Sequence, residues 1–244
     1  MQQPSPLRTW AIVPARGGSK GIPRKNIKPL GGKPVLQYTA EQAREAGGIE
    51  RLIVSTEDAE IAAVARALGL EVPFLRPAEL AQDATSTIDV ILHLVEILLA
   101  EPNTVAPDLI LLLQPTFPFR RAEHLQSAVR LLQENPQADS LVSVSPMPHH
   151  YSPFYAMTLE AGRVNYLFPG QQYTRRQDQT PTFYRNGVIY VTRLESLLRY
   201  RHLEGEHILS LVIEDAPSLI NLDTPADWTA AEQMLTSGLL PTSG

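Results

Sequence analysis

Short apolar runs alternate with amphipathic stretches along this chain, and glycine or proline marks most of the changes. Trp10–Ala15 is an apolar run that ends in a glycine-rich loop. Val35–Ala46 has helical spacing and is closed by Gly47-Gly48. Arg51–Thr56 is β-branched and strand-like, and Asp58–Leu68 reads as a helix with Asp58 as N-cap and Gly69 as terminator. Thr85–Ala100 is a further helix. Leu109–Leu113 is a continuous apolar run between Pro107 and Pro115, the pattern of a strand buried on both faces. Ala122–Gln133 reads as a helix and Ser140–Ser145 as a strand. Gly187–Thr192, Ile208–Ile213 and Ser218–Leu222 are further strand candidates. A last helix, Thr224–Leu235, starts at Thr224-Pro225.

This alternation predicts an α/β fold: a mostly parallel sheet covered by helices on both faces, three layers in all. In such sheets ligands bind beyond the carboxyl ends of the strands. The loops after Val13, Thr56, Leu113 and Ser145 are therefore expected to share one crevice. The pattern breaks from Pro146 to Pro181, a stretch rich in Pro, Tyr, Gln and His. Residues 146–183 read as an insertion, with room for a hairpin, inside a single domain spanning 1–244.

Composition narrows the class. The chain has 244 residues, 43% of them hydrophobic, enough for a substantial core. Its net charge of −5 argues against a nucleic-acid binder. It has no cysteine, which excludes disulfides, thiolate catalysis and zinc–thiolate sites. The N-terminal stretch lacks a signal-peptide pattern, and Asp89, His93 and Glu96 interrupt the most apolar helix. A soluble, cytoplasmic protein without membrane contact is the expectation.

The richest chemistry lies in ARGGSKGIPRKN, Ala15–Asn26. It directly follows a strand and holds three glycines and the cations Arg16, Lys20, Arg24 and Lys25. Glycines let backbone N–H groups converge on anionic oxygens, Arg offers a bidentate fork, and Lys a movable point charge. The set suits a polyphosphate, yet it fits neither the P-loop nor the dinucleotide fingerprint. Gln114 ends the LILLL run with an amide aimed at the expected crevice, where it can hydrogen-bond a hydroxyl or carboxylate. Taken alone, Arg76 also fits a surface salt bridge, Ser86 a helix N-cap, and Asp223 a cap for the last helix.

ARGGSKGIPRKN followed by GGKPVLQYT resembles the signature of the acylneuraminate cytidylyltransferases, the CMP-sialic acid synthetase family. RLIVSTED, FLRPAELAQDATST, LLLQPTFPFR, RRQDQTPTFYRNGVIYV and INLDTPADW extend the likeness, in order, over nearly the whole chain. The resemblance implies a Rossmann-like nucleotidyltransferase fold with a small dimerisation element at the insertion, a homodimer, and transfer of CMP from CTP to a nonulosonic acid with magnesium as cofactor. It also implies the site. Arg16, Lys25 and Asp223 act in catalysis. Arg16, Gly17, Ser19, Lys25, Asn26, Arg76 and Ser86 bind the nucleotide. Gln114, Arg176, Tyr184, Asn186 and Tyr190 bind the sugar, with Arg175 as an alternative to its neighbour. Asp223 and Asn221 hold the metal.

Two departures stand out. Sialic-acid-specific relatives carry an Arg two residues before the Asn of RNG, where this chain has Tyr184 and places Arg185 next. Tyrosine cannot form a bidentate pair with a carboxylate, so legionaminic and pseudaminic acids stand beside N-acylneuraminate. The family's Asp-x-Asp before the last helix is here Asn221-Leu222-Asp223. A neutral amide oxygen is a weaker ligand than a carboxylate, which predicts lower magnesium affinity. No single residue marks a cytosine contact, so GTP stays open as the nucleotide, as does octulosonic acid as the sugar. A noncatalytic nucleotide binder is the rival from another class.

Overall fold

The computed structural model describes residues 6–170, 175 and 180–238. Its strands and helices follow in the order β1 (Thr9–Pro14), β2 (Pro29–Leu30), β3 (Lys33–Pro34), α1 (Val35–Ala46), β4 (Ile49–Ser55), α2 (Ala59–Ala67), α3 (Thr87–Ala100) and β5 (Leu109–Leu112). There follow α4 (Ala122–Glu134), β6 (Ser140–Pro146), β7 (Met157–Glu160), β8 (Arg163–Tyr166), β9 (Phe183–Arg193), α5 (Leu194–Tyr200), β10 (Ile208–Val212) and α6 (Pro225–Thr236).

Six strands form one sheet in the order β10-β6-β9-β5-β1-β4. β1 runs parallel to both β4 and β5, and β10 parallel to β6. β9 alone runs antiparallel, against β5 on one side and β6 on the other. The chain leaves β1 for β4 on one side and returns to β5 on the other. That reversal opens a crevice at the carboxyl ends of β1 and β5.

Cover on both faces explains why β1 from Trp10 onward and all of β5 are apolar, since alternate side chains enter opposite layers. Ala11, Val13, Leu109, Leu111 and Leu113 face one layer, with Leu36 and Ala40 of α1, Ile61 of α2 and Leu125 and Ala128 of α4. Trp10, Ile12, Ile110 and Leu112 face the other, with Ile91, Leu94 and Leu98 of α3 and Leu197 of α5. A smaller cluster unites Ile22 and Leu30 with Phe119, Leu222 and Trp228, anchoring the segment between β1 and α1 onto α6.

Caps set several helix starts. The Asp58 carboxylate accepts from the N–H groups of Glu60 and Ile61, both at 2.9 Å. Thr224 and Asp227 form a reciprocal capping box at α6, with Pro225 at the first helical position. Ser218–Leu222, expected as a strand, is instead a 3-10 turn over Ala216–Leu219 followed by an unpaired segment. Ser218 is fully buried and its hydroxyl donates to Phe119 O, so this segment wedges against the loop after β5 rather than pairing in the sheet. Within the insertion, β7 and β8 form an antiparallel hairpin whose eight residues are all exposed. Among the described residues no helix is long and apolar enough to cross a membrane.

Candidate active site

Beyond β1 and β5 lies a cleft of about 430 Å³. Of the residues singled out in the sequence, Arg16, Ser19, Lys25, Asn26, Arg76, Gln114, Asn221 and Asp223 line it. Their convergence comes from four separate segments, each tied down locally.

The loop after β1 starts with Ala15 N–H donating to Ser55 O (3.0 Å) and is clamped by Asn26. That side chain is buried, and its Nδ2 donates to Arg16 O at 2.9 Å. Gly17 N–H donates to Glu57 Oε1 (2.7 Å), so it is spent on the protein rather than held open for an anion. A Cβ at Gly17 would lie 2.5 Å from Asp58 Oδ2, so glycine lets the loop approach α2. Each cation of the loop has an acidic partner. Arg16 and Lys20 both meet Asp83, at 3.0 and 2.6 Å. Arg24 lies against Asp58 and Glu60 at the start of α2. Its guanidinium is the main cause holding the Asp58 carboxyl below the usual carboxylate range. Lys25 Nζ donates to Leu222 O (2.5 Å) and Asp223 Oδ1 (3.0 Å).

Arg76 is 5% exposed and pairs with Glu57 Oε2 at 2.7 Å. Gln114 is fixed from behind, because Arg120 Nη2 donates to its carbonyl at 2.7 Å while Arg120 Nε donates to Val188 O at 2.9 Å. Burial without a carboxylate pushes Arg120 down to about 9, which leaves it a cation at neutral pH. This brace between the loop after β5 and strand β9 was not recognised in the sequence.

Asn221 and Asp223 reach the cleft through a tight turn, Asp223 N–H donating to Asn221 O at 3.0 Å, rather than through strand alternation. Leu222 N–H donates to Thr116 O (2.8 Å) and seats this turn on the loop after β5. Thr224, not Asp223, caps α6. Asn221 Nδ2 donates to Asp223 Oδ2 at 2.5 Å, while the buried Asn221 Oδ1 has no partner. An orphaned amide oxygen beside a carboxylate is a hard-oxygen pair that fits a magnesium ion, which needs few protein ligands when phosphates and water complete its shell.

The remaining residues lie apart. Ser86 is the N-cap of α3, accepting from Asp89 N–H at 3.2 Å and donating to Asp89 Oδ2 at 2.6 Å, the structural option the sequence left open. Its neighbours Thr85 and Thr87 line the cleft, as do Lys20, Gln82 and Asp83. Asn186 is committed to the sheet. Pairing of β6 with β9 passes from Val142–Tyr190 to Val144–Arg185, leaving extra β9 residues opposite Ser143. Asn186 spans this irregularity: its Oδ1 accepts from Ser143 Oγ (2.5 Å), and its Nδ2 donates to Ser145 Oγ (2.9 Å). Tyr190 packs half-buried against the α3 layer, and burial raises its hydroxyl above the usual range. Tyr184 is exposed on β9 opposite Ser145. Neither the short loop after Thr56 nor the loop after Ser145 lines the cleft. Arg176 lies outside the described residues; its neighbour Arg175 is exposed.

The sequence model of the family described as Cytidylyltransferase matches residues 10–214. The chain belongs to the cytidylyltransferase family. Among curated proteins it is similar to the CMP-N,N'-diacetyllegionaminic acid synthase of Legionella pneumophila, at 33% identity over 94% of this chain and 97% of that protein. It is 31% identical to the N-acylneuraminate cytidylyltransferase of Escherichia coli over 91% of this chain but 50% of that longer protein. A pseudaminic acid cytidylyltransferase of Campylobacter jejuni is 32% identical over 75% of this chain and 78% of its own. The solved structure of a CMP:2-keto-3-deoxy-manno-octonic acid synthetase complexed with CTP superposes with a TM-score of 0.70 at 17% identity, over 94% of this chain and 99% of its own. At that identity it shows the shared nucleotidyltransferase fold.

Proposed function

We propose that this cytidylyltransferase transfers CMP from CTP to a nonulosonic acid and releases pyrophosphate. The observation that carries the reading is the convergence of Arg16, Lys20, Lys25, Asn26, Arg76, Gln114, Asn221 and Asp223 on one cleft at the carboxyl ends of β1 and β5. The relatives support the sugar class, since their names span legionaminic, N-acylneuraminic and pseudaminic acids.

In this reading the anomeric hydroxyl oxygen attacks the α-phosphorus of CTP in line. The bond from that phosphorus to the pyrophosphate oxygen breaks, and the hydroxyl proton is released to water. Arg16 and Lys25 neutralise charge growing on the leaving pyrophosphate. Asn26 keeps the loop after β1 in shape, and Gln114 orients the sugar acid. A magnesium ion held by Asp223 and Asn221 Oδ1 would add charge neutralisation at the phosphates. The reading includes a homodimer built on residues 146–183, and the exposed apolar face of β7–β8, with Leu159 73% and Val164 61% exposed, supports that contact. It also includes a cytoplasmic location, since CTP is the donor.

The test is pyrophosphate release with CTP and magnesium across N-acylneuraminic, legionaminic, pseudaminic and 3-deoxyoctulosonic acids, with GTP in a parallel arm. Turnover with one nonulosonic acid and CTP is expected. Turnover with the octulosonic acid alone, or with GTP alone, overturns the assignment of sugar or nucleotide. Silence from folded protein in every arm favours a noncatalytic binder.

A further inference from the structure

Glu57 stands just past the end of β4 and belongs to none of the roles above. Its side chain is 19% exposed, and its two oxygens serve two segments. Oε1 accepts from Gly17 N–H and Oε2 from Arg76 Nη2, both at 2.7 Å. Among the described residues it is the acid paired with Arg76, whose buried guanidinium would otherwise lack a counterion. Arg76 is held in place from its backbone as well, its N–H donating to Thr56 O at 2.8 Å. The Gly17 end of the bridge is equally constrained, because Asp58 leaves no room for a side chain there.

From this geometry we infer that Glu57 is a positioning residue: one carboxylate that fixes the loop after β1 and Arg76 relative to each other, and so shapes the nucleotide half of the cleft. The two groups that the Glu57 carboxylate holds are Gly17 N–H and the Arg76 guanidinium; Gln114, Asn221 and Asp223 sit on other segments. The inference rests on the reading of the cleft as a CTP site. An ion pair that merely supports β4 would alter melting temperature and leave CTP affinity unchanged in the folded protein.

The experiment is calorimetric titration with CTP and magnesium on the full chain, using Glu57→Gln, Arg76→Ala and the double variant, with KM for the sugar acid measured at saturating CTP. Glu57→Gln keeps the size and one acceptor but removes the charge facing Arg76. Glu57→Gln is expected to weaken CTP binding about tenfold, roughly 1.4 kcal/mol, and to leave KM for the sugar acid within about twofold. The double variant is expected to lose less than the sum of the two single losses, because the residues act as a unit. Additive losses, parallel losses for both substrates, or unchanged CTP affinity with a lower melting temperature would overturn the assignment. Failure of the unmodified chain to bind CTP would overturn the CTP reading itself, which separates the two.

Discussion

Gly21 lies directly against the carbonyl of Asp223: a Cβ at position 21 would stand 2.0 Å from that oxygen. This contact joins the loop after β1 to the turn that carries Asn221 and Asp223, and no side chain can be inserted without moving one of them. Gly21→Ala is therefore expected to lower kcat/KM by about tenfold or more, with a stability loss of about 1–3 kcal/mol from overpacking. Gly18, three residues earlier, has nothing within 4 Å of its would-be Cβ. Gly18→Ala is the control, and urea unfolding with steady-state kinetics on both variants is the measurement. Equal behaviour of the two would show that the contact does not set the site.

Asn221 is the next point of leverage. Its Oδ1 is buried without a partner and its Nδ2 donates to Asp223. Asn221→Asp replaces a neutral amide with a carboxylate and sets two carboxylates side by side, which favours a divalent cation. The magnesium concentration that half-saturates activity is expected to fall several-fold, and the metal-free variant is expected to melt below the unmodified chain. An unchanged magnesium titration would remove Asn221 from the proposed metal site.

The sequence exposes those features whose cause is local. The Leu109–Leu113 run must be buried on both faces because no residue in it tolerates water, and the structure splits it between two apolar layers. Asp58 and the Thr224-Pro225 start are readable because capping chemistry lies within three residues. Strand direction leaves no such mark: Gly187–Thr192 has the same β-branched composition whether it runs with or against β5. Helix α5 is only seven residues long and follows β9 without a linker, so no break announces it. Ser218–Leu222 reads as a strand from its apolar content, yet its residues answer to Thr116, Phe119 and α6. In the site the basic loop was legible as a charge cluster. Its acidic partners Glu57 and Asp83 were not, because pairing across 40 and 67 residues has no sequence period.

His124 gives the chain a pH dependence. It sits on α4 with its Nε2 3.2 Å from Asp215 and its Nδ1 buried without a partner. Burial lowers its pKa below 6.5; Arg121 and Arg120 act in the same direction, and Asp215 and Glu123 oppose. The neutral ring is favoured in the folded state, so the unfolded chain binds more protons between the folded value and 6.5. Stability is therefore full above about pH 6.5 and falls as the pH drops through that window. His124→Gln, which cannot titrate, is expected to show a smaller difference in urea midpoint between pH 7.5 and 5.5. The same difference in both proteins would assign the acid sensitivity to other groups.

Asp83 occupies the position most exposed to competition with substrate. Its carboxylate takes both Arg16 and Lys20, and these two cations hold it below the usual carboxylate range, Lys20 contributing most. In the proposed reading a triphosphate in the cleft presents more negative charge to the same two side chains and competes with Asp83 for them. Asp83→Asn removes that competitor while keeping the shape of the loop. KM for CTP is expected to fall about two- to fivefold, within what an exposed pair contributes at moderate ionic strength. Pyrophosphate is expected to become a stronger product inhibitor in the same proportion, because in the proposed reading it draws on the same cations. Both effects should shrink as salt is raised, since the competition is electrostatic and open to solvent. A higher KM for CTP in the variant would instead mean that Asp83 orients Arg16 and Lys20 toward the nucleotide, and the sign of that one change decides between competitor and organiser.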